Sequence, residues 1–427
     1  MKKIIALLLA GVLALGLLAG CDTSGQDATT PKTNSPSGRN DTQPVSLADA
    51  KIGIILIGDE NEGYSYAHIE GIRKAMETLG LTDDNVIFKY TIPEDEKCYD
   101  TAVDLADQGC QLIISNSYSH QSYMVQAAEE YPNITFVADT GDTAAVCGLP
   151  NVKNAFPHTY ESRYVSGVVA GMKLKELLDA GTVKDPYIGY VGAYPYAEVV
   201  SGYTAFFLGI RSIVPEAHMD VVYTNAWFDM NAEAEAANAL MARGCVIIGQ
   251  HADSTGAPSA VEAALGKGTV AYSVGYNVDM LSVAPNAALT SSQNNWAAFY
   301  LYAFSCLLEG KEIMTDWSAG YAEDAVMIST LGQSCAAGTA EKVAEVEAAI
   351  KNGSLKVFDA STFTVDGQKL DAHEFDFSII DFSTGNVIYA GEKVNVLTDG
   401  YFHESEHRSA PYFDLRIDGI TELTEES

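Results

Sequence analysis

The chain has 427 residues, of which 47% are hydrophobic and 19% are charged. This composition can bury one large core or two medium ones, and it excludes an intrinsically disordered protein. The formal net charge of −32 argues against nucleic-acid binding, because that function rests on the neutralisation of phosphates by Lys and Arg. We interpret the acidity as the strongly solvated surface of an exported protein, with steering of a cationic ligand as the alternative.

The first residues predict an export signal over residues 1–20, with a basic start followed by an apolar run. The sequence Leu18-Ala19-Gly20-Cys21 resembles a bacterial lipobox. That resemblance implies cleavage before Cys21 and attachment of diacylglycerol to its sulfur. A plain signal peptide or an uncleaved anchor is the alternative, although the apolar run is shorter than the about 20 residues that span a bilayer. Residues 21–47, rich in Ser, Thr, Asp, Gly and Pro, predict a flexible tether.

Strands and helices alternate through the first half of the globular part. A strand at 52–57 leads through a loop that carries Tyr64 and Tyr66 into a helix over residues 67–79. The pattern then predicts a strand at 86–90, a helix at 99–107, a strand ending at Tyr118, a helix at 122–131, and a strand at 134–138 before Asp139. No glycine-rich phosphate motif occurs between a strand and a helix.

The second half repeats this pattern, which predicts two similar βα lobes with a crevice between them. A helix near residues 160–171 has small residues on one face, which permit close helix packing. Further elements are predicted as strands at 187–191, 220–224, 244–253 and 270–274, a long helix opening at residues 293–296, and a charged helix over 340–351 among hairpin-like strands. We interpret the last hundred residues as structural.

Polar and aromatic side chains gather where the predicted strands end. Ligands of open α/β sheets bind beyond the carboxyl ends of the strands, so these side chains are candidates for ligand recognition. The candidates are Tyr64, Tyr66, Ser117, Tyr118, Asp139, Trp227, Phe228, His251, Asp253, Gly275, Tyr276 and Asn277, with Gln250 beside them. Ordinary loop packing is the alternative for the two tyrosines, and a capping role is the alternative for Asp139.

The cysteines do not indicate metal or redox chemistry. None of the six that follow Cys21 forms a CxxC pair, and metal-ligand spacing is absent. Cys110 and Cys245 start two apolar strands at matched positions, which predicts small core side chains. A disulfide among the remaining cysteines stays open, and no cofactor or metal is expected.

The chain resembles the basic membrane protein family of ABC-transporter substrate-binding lipoproteins, which includes binders of purine nucleosides and purine bases. Besides the lipobox, the resemblance rests on Gly63-Tyr64-Ser65-Tyr66-Ala67-His68, Tyr160 to Gly167 with Arg163-Tyr164, Ala226-Trp227-Phe228-Asp229, Gln250-His251-Ala252-Asp253-Ser254, and Gly275-Tyr276-Asn277-Val278-Asp279-Met280. It implies an α/β type I periplasmic-binding fold with two Rossmann-like lobes and a hinge. The expected lobes are residues 48–160 with part of 285–330, and residues 161–284 with the C-terminal part.

The resemblance also implies roles for individual residues. Tyr64 takes a position where related proteins often have Trp or Phe, and Trp227 or Phe228 would stack on the opposite face of a purine. His251 and Asp253 resemble the polar pair of a base-binding subgroup. Many nucleoside binders have Asp where this chain has Asn277. An amide accepts from vicinal hydroxyls less strongly than a carboxylate does, which favours a free purine base over a nucleoside.

Three classes of function compete. The first is a monomeric, non-enzymatic capture protein that closes over a purine and delivers it to ABC permease subunits, held on the outer face of the membrane by a lipid. An enzyme would use His251 and Asp253 as acid and base of a nucleoside hydrolase, but the chain lacks carboxylates at metal spacing. A receptor of the same fold is the third class. Within the binding class, a sugar or another small polar solute is the alternative ligand.

Overall fold

Two mainly parallel sheets organise the chain. The computed structural model describes residues 43–381 and 384–423, which belong to one unit spanning Asp41–Ser427. The predicted export signal, Cys21 and most of the tether lie outside the described residues. None of the helices in the described ranges has both the length and the apolar character needed to cross a membrane.

The helices of the described residues are α1 (Gly63–Leu79), α2 (Glu96–Asp107), α3 (Gln121–Glu130), α4 (Thr159–Asp179), α5 (Ala197–Arg211), α6 (Met230–Ala242), α7 (Gly256–Gly266), α8 (Trp296–Glu309) and α9 (Thr339–Lys351). The first ten strands are β1 (Ile52–Ile55), β2 (Val86–Lys89), β3 (Leu112–Ser115), β4 (Thr135–Asp139), β5 (Val152–Ala155), β6 (Tyr187–Gly192), β7 (His218–Tyr223), β8 (Ile247–His251), β9 (Tyr272–Tyr276) and β10 (Ala288–Asn294). The remaining strands are short: β11 (Asp316–Trp317), β12 (Val326–Ile328), β13 (Glu374–Asp376), β14 (Ile379–Ile380), β15 (Val387–Tyr389), β16 (Lys393–Asn395), β17 (Leu397–Thr398), β18 (Tyr401–Phe402) and β19 (Ile420–Glu422).

Each sheet is the centre of one lobe. The first sheet has the order β11-β5-β4-β3-β1-β2, and the second has the order β12-β10-β9-β8-β6-β7-β19. All pairings are parallel except β10 with β12. Strands such as β1 are apolar and buried along their whole length, as expected where helices cover both faces of a parallel sheet.

The chain crosses between the lobes three times within the described residues, after β5, after β10 and after β11. Backbone hydrogen bonds join neighbouring crossings to one another. The amide of Phe156 donates to the carbonyl of Trp317 at 3.0 Å, and the amide of Asn295 donates to that of Ala325 at 2.8 Å. Three adjacent connections of this kind form the hinge region between the lobes.

Helix α1 begins at Gly63, four residues before the predicted start, so the prediction of a loop around Tyr64 and Tyr66 was wrong. The carboxylate of Glu62 accepts hydrogen bonds from the backbone amides of Tyr64 at 2.6 Å and Ser65 at 2.7 Å. A carboxylate at this position satisfies amides that have no partner inside the helix and interacts favourably with the helix dipole. The predicted long helix also differs, because residues 293–294 belong to β10 and α8 begins at Trp296.

The predicted close packing of the small-residue helix is confirmed. In α4, a Cβ atom placed on Gly167 would stand 2.1 Å from the carbonyl oxygen of Phe206 in α5. The reciprocal contact occurs at Gly209 of α5, where a Cβ would stand 2.1 Å from the carbonyl oxygen of Tyr164. The core placement predicted for Cys110 and Cys245 is confirmed as well, since both are almost fully buried.

Residues 361–423 form a segment that we call the C-terminal extension. It contains three two-stranded antiparallel sheets, β13 with β16, β14 with β15, and β17 with β18. Its buried aromatic side chains Phe363, Phe402, Tyr412 and Phe413 join the core of the second lobe. The final strand, β19, pairs in parallel with β7 at the edge of the second sheet, a pairing that the sequence did not predict.

Candidate ligand-binding cleft

A cleft of about 520 Å³ lies between the lobes, where strands of both sheets end. This volume falls within the range of about 300–1,000 Å³ that is typical of small-molecule sites. Seven side chains predicted from the sequence line the cleft: Tyr64, Ser117, Tyr118, Trp227, Phe228, Asp253 and Tyr276. The strand ends of the two halves therefore do meet at one place.

The first lobe contributes Tyr64 and Tyr118 to the wall. The hydroxyl of Tyr64 donates to the carbonyl of Asn116, and its ring contacts the edge of His68 with centroids 4.6 Å apart. The side chain of Asn116 accepts from the amide of Ile57 at 2.8 Å, which links the loop after β3 to the loop after β1. These contacts hold the Tyr64 ring in a fixed orientation.

The second lobe contributes Trp227, which is partly exposed, and Phe228, which is 48% exposed. The ring of Trp227 packs against that of Tyr194, with centroids 5.5 Å apart, and Tyr194 stacks on Tyr196 at 5.1 Å. Aromatic residues of the loop after β6 thus pack against Trp227, which follows β7. The exposed ring of Phe228 leaves apolar surface open to a ligand.

The polar part of the lining is acidic. Five carboxyl side chains border the cleft, and none of its described lining residues is Lys or Arg; the five are Asp59, Glu62, Glu94, Glu198 and Asp253. Burial raises the pKa of Glu198 to about 7, against the opposing effect of Arg163. Glu198 is not among the residues predicted from the sequence, although a carboxylate in the first turn of the helix after the Tyr194-Pro195-Tyr196 loop is a usable signal.

Asp253 is held from behind by Asn277, whose Nδ2 donates to Asp253 Oδ1 at 2.6 Å. The backbone amide of Asp253 donates to the carbonyl of Trp227 at 2.7 Å. Burial, followed by the nearby carboxyl groups of Glu62 and Glu233, raises the pKa of Asp253 well above its usual value. Asn277 is 3% exposed and does not line the cleft.

His251 lies one layer behind the lining, at 1% exposure. Its Nε2 lies 3.3 Å from Glu198 Oε1, and its ring packs against Tyr276 with centroids 4.8 Å apart. Burial holds the pKa of His251 well below its usual value, with a smaller contribution from Arg163. The imidazole is therefore neutral and supports Glu198 and Tyr276 rather than facing the cleft itself.

Arg163 is a buried charged residue that packs against Tyr276. It is 1% exposed, its Nη1 donates to the carbonyl of Gln250 at 2.6 Å, and its guanidinium lies 3.8 Å from the ring centroid of Tyr276. Such a contact combines a cation–π interaction with packing. Gln250 faces inward too, donating to the carbonyls of Ala252 and Ser254, so it shapes the loop after β8.

Three further candidates from the sequence do not reach the cleft. Tyr66 is 39% exposed on another side of α1, because two residues correspond to roughly 200° around a helix. Asp139 is fully buried and accepts from the hydroxyl of Tyr300 at 3.0 Å, with His68 Nδ1 at 3.4 Å. Gly275 lies inside the second sheet, where a Cβ would stand 2.5 Å from the side chain of Met280.

Two lining residues have a strained backbone. Thr91 and Thr140 follow β2 and β4 with φ angles of 53° and 66°. The left-handed region is unfavourable for a β-branched residue, and such conformations cluster at functional sites. The amide of Thr140 donates to the carbonyl of Ala155 at 2.8 Å, which fixes this turn at the edge of the cleft.

The two lobes touch beside the cleft. A Cβ placed on Gly63 of the first lobe would lie 3.4 Å from the carbonyl oxygen of Asp253 and 3.5 Å from a methyl group of Val278. The two lobes therefore approach each other closely at this point. The described residues contain no group of three or more His, Cys, Asp or Glu side chains arranged to hold a metal ion.

The sequence is similar to those of known solute-binding proteins. A family model described as ABC transporter substrate-binding protein PnrA-like matches residues 55–360. The chain is 30% identical over 330 residues to a purine-binding protein of Brucella abortus, covering 75% of this chain and 88% of that protein. It is also 30% identical over 341 residues to a putative ABC transporter glucose-binding protein of Haloferax volcanii, covering 80% of this chain and 81% of that protein.

Solved structures agree on the fold. A solute-binding protein of an ABC transporter system from Aeropyrum pernix superposes with a TM-score of 0.62 at 16% identity, covering 72% of this chain and 93% of that chain. The predicted type I periplasmic-binding fold is confirmed.

Proposed function

The chain belongs to the PnrA-like family of ABC transporter substrate-binding proteins, and from that premise we propose that it captures a purine between its lobes and delivers it to a membrane permease. Proteins of this family bind solutes outside the cytoplasm for transport. Binding a solute in this way involves no chemical conversion of it. The proposal that the solute is a purine rests on the chemistry of the cleft and on the similarity to a purine-binding protein.

The observation that carries the proposal is the pairing of aromatic rings from both lobes around one cleft. Tyr64 and Tyr118 line it from the first lobe, and Trp227 and Phe228 line it from the second. A flat heteroaromatic ring inserted between two such walls gains stacking contacts on both faces. Each lobe alone offers rings on one side only, so a planar ligand favours closure of the lobes.

The acidic lining suits the edge of a purine. Ring N–H and exocyclic amino groups are donors, and carboxyl oxygens such as those of Asp253 and Glu198 accept from them. A phosphorylated ligand is disfavoured, because the described lining offers carboxyl groups and no Lys or Arg to pair with a phosphate. The solute is therefore an uncharged base or nucleoside rather than a nucleotide.

A free base is favoured over a nucleoside. The Oδ1 atom of Asp253 is already engaged by Asn277. A carboxylate grips two vicinal hydroxyls best when both of its oxygens are available, so Asp253 is better suited to a single N–H donor than to a ribose.

The attachment to the membrane is part of the proposal. A lipid on Cys21 and a tether over residues 21–47 would keep the capture unit close to its permease as a monomer. The geometry disfavours the alternative of a nucleoside hydrolase that uses His251 as acid or base, since His251 is buried behind the lining of the cleft. Its side chain has no exposed face from which to move a proton to or from a ligand in the cleft.

A sugar is the second candidate solute. The Haloferax volcanii relative, described as a putative glucose-binding protein, is as similar in sequence identity as the purine-binding relative. Aromatic rings with carboxylates also suit a pyranose, whose apolar face packs on the rings while its hydroxyls donate to the acids.

A ligand screen separates the two candidates. The unit of residues 41–427 would be titrated with adenine, guanine, hypoxanthine, their nucleosides and simple sugars, with the melting temperature as the readout. A ligand that binds only the folded state raises that temperature. Stabilisation by bases supports the proposal, and stabilisation by sugars alone contradicts it while leaving the family assignment intact.

A further inference from the structure

The C-terminal extension is anchored in the second lobe but reaches the first. Its strand β19 completes the second sheet, and its Phe413 stacks on Phe358 with centroids 4.2 Å apart. The family match ends at residue 360, so the extension is an addition to the part of the chain that the family describes. The residues with which it contacts the first lobe lie outside the part of the chain that the family model matches.

Two of those contacts are polar and largely shielded from water. Arg408 Nη1 lies 3.2 Å from Asp142 Oδ2, and both side chains are only 10% exposed. Next to it, Ser409 donates to Asp316 Oδ1 from its backbone amide at 3.2 Å and from its hydroxyl at 2.9 Å. A shielded ion pair is sensitive to the loss of either partner, because the remaining charge stays buried without compensation.

Arg408 is held firmly on its own side. Its Nε donates to the carbonyl of Ala410 and its Nη2 to that of Pro411, each at 3.3 Å. The guanidinium also lies 5.7 Å from the ring centroids of Phe375 and Phe377. With these contacts, the extension presents a fixed cation to the first lobe.

Asp142 connects this cation to the cleft. The hydroxyl of Tyr118, whose ring lines the cleft, donates at 3.3 Å to the same Oδ2 atom that faces Arg408. The other oxygen, Oδ1, accepts from Gln121 Nε2 at 3.1 Å, and Gln121 Oε1 accepts from the Asp142 amide at 2.8 Å. Asp142 is thus locked between the cleft wall and the extension.

From this geometry we infer that Arg408 is a positioning residue for the ligand: through Asp142 it fixes the ring of Tyr118 against the bound solute, so that the C-terminal extension tunes affinity without touching the ligand. The inference rests on the proposed function, because it takes the cleft to be the solute site. The ion pair also ties the second lobe to the first on the Tyr118 side of the cleft.

A double-mutant cycle on the full-length chain in detergent tests this. Arg408→Met is expected to weaken binding of the purine found in the ligand screen about tenfold, and the loss is expected to vanish in a Tyr118→Ala background. Arg416→Met is the matched control, since Arg416 is also in the extension but pairs with Glu422 at 2.7 Å. The inference is overturned if Arg408→Met binds the ligand as tightly as the wild type does. It is also overturned if Arg408→Met weakens binding equally in the wild type and in the Tyr118→Ala variant.

A readout without ligand separates this inference from the proposed function. A fluorotyrosine at position 118 is expected to change its fluorine chemical shift in Arg408→Met and to keep it in Arg416→Met. An unchanged shift in Arg408→Met overturns the positioning role whatever the solute is. If the chemical shift changes in Arg408→Met but the protein binds no purine, the positioning role of Arg408 is supported and only the purine proposal is refuted.

A second variant covers the case in which Arg408→Met does not fold. Asp142→Asn keeps an acceptor oxygen for Gln121 and removes the charge that faces Arg408. It is expected to shift the fluorine signal of position 118 and to weaken binding, as Arg408→Met does. If Asp142→Asn folds with an unchanged signal and unchanged affinity, the inference is overturned.

Discussion

Asn277 donates a 2.6 Å hydrogen bond from its Nδ2 to Oδ1 of Asp253, and so sets the orientation of a carboxyl group that lines the cleft. The backbone of Asn277 has a φ of 60°, a conformation that Asn tolerates better than most residues. Its carbonyl accepts from Gln293 Nε2 at 3.0 Å. Asn277 therefore orients Asp253 and does not itself line the cleft.

Asn277→Asp is expected to destabilise the protein in a pH-dependent way. The substitution replaces the donor by a second carboxyl group, which faces Asp253 across a buried contact. At about pH 8 the free energy of unfolding should fall by about 1–3 kcal/mol, and at about pH 5 by less, because one of the two carboxyls then keeps a proton. Urea denaturation at both pH values measures this. Asn225→Asp, at an exposed strand end with a φ of 56°, is the control. Equal losses in both variants would contradict the role given to Asp253.

Phosphorylation of the ligand is expected to abolish binding. The described lining offers five carboxyl groups and no Lys or Arg to pair with a phosphate, so a phosphate in the cleft would lack a cationic partner. Calorimetric titration with a nucleoside and with its monophosphate compares the two directly. The monophosphate should bind at least about a hundredfold more weakly, since a charged group that is taken from water into a cleft without a cationic partner costs several kcal/mol. Comparable affinities would show that the carboxyl groups do not face the ligand.

Buried carboxyl groups make the protein less stable as the pH rises. Burial raises the pKa of the fully buried Glu233 from its ordinary value of 4.5 to about 7, so the folded state keeps this proton up to a higher pH than the unfolded state. The associated stability is fully present below about pH 4.5 and is lost as the pH rises to about 7. Glu233→Gln should reduce that pH-dependent loss by about 2 kcal/mol.

Urea denaturation of the wild type and Glu233→Gln between about pH 4.5 and 8 provides the measurement. Glu77→Gln, an exposed carboxyl group in α1, is the matched control, and it should leave the pH dependence as it is in the wild type. An unchanged pH dependence in Glu233→Gln would mean that this carboxyl group titrates normally in the folded protein.

Gly167→Ala is expected to disrupt the packing of α4 on α5. The added methyl group would meet the backbone oxygen of Phe206, which cannot rotate away, so the helices must separate. We expect a loss of about 1–3 kcal/mol in the free energy of unfolding, as for other overpacked cores. Gly266→Ala at the end of α7 meets nothing within 4 Å and should be neutral or slightly stabilising. The contrast in melting temperature between these two variants is the test.

The fold could be predicted from the sequence because its signals are local and repeated. Apolar runs such as that of β1 predict buried strands by themselves, and the repeat predicts a second lobe. Trp227 and Asp253 follow strands of the second sheet and share its carboxyl edge, and Tyr118 lies at the corresponding edge of the first sheet, which faces the same cleft. Predicting this placement required no knowledge of side-chain orientation.

The predictions that were wrong depended on contacts between residues far apart in the sequence, or on which side of a helix a residue faces. The early start of α1 follows from the carboxylate of Glu62, which is not a usual capping residue, and that start turns Tyr66 away from the cleft. His251 and Asp139 follow strand patterns as Asp253 does, yet their burial depends on partners such as Glu198 and Tyr300 that lie far away in the sequence. Local pattern cannot tell which layer a polar side chain occupies.

Trp227→Ala is expected to weaken ligand binding by about 1–3 kcal/mol, the range found when a ring that stacks on a base is removed. The ring of Trp227 is supported from behind by Tyr194, so its removal leaves a gap in the wall instead of a rearranged ring. Trp227→Phe should recover part of the affinity, because a smaller ring still stacks. Tyr66→Ala, on the exposed side of α1, is the control and should bind as the wild type does. Calorimetric titration of the best ligand from the screen decides the matter: unchanged affinity in Trp227→Ala would remove this ring from the site and leave Phe228 as the second lobe's stacking face.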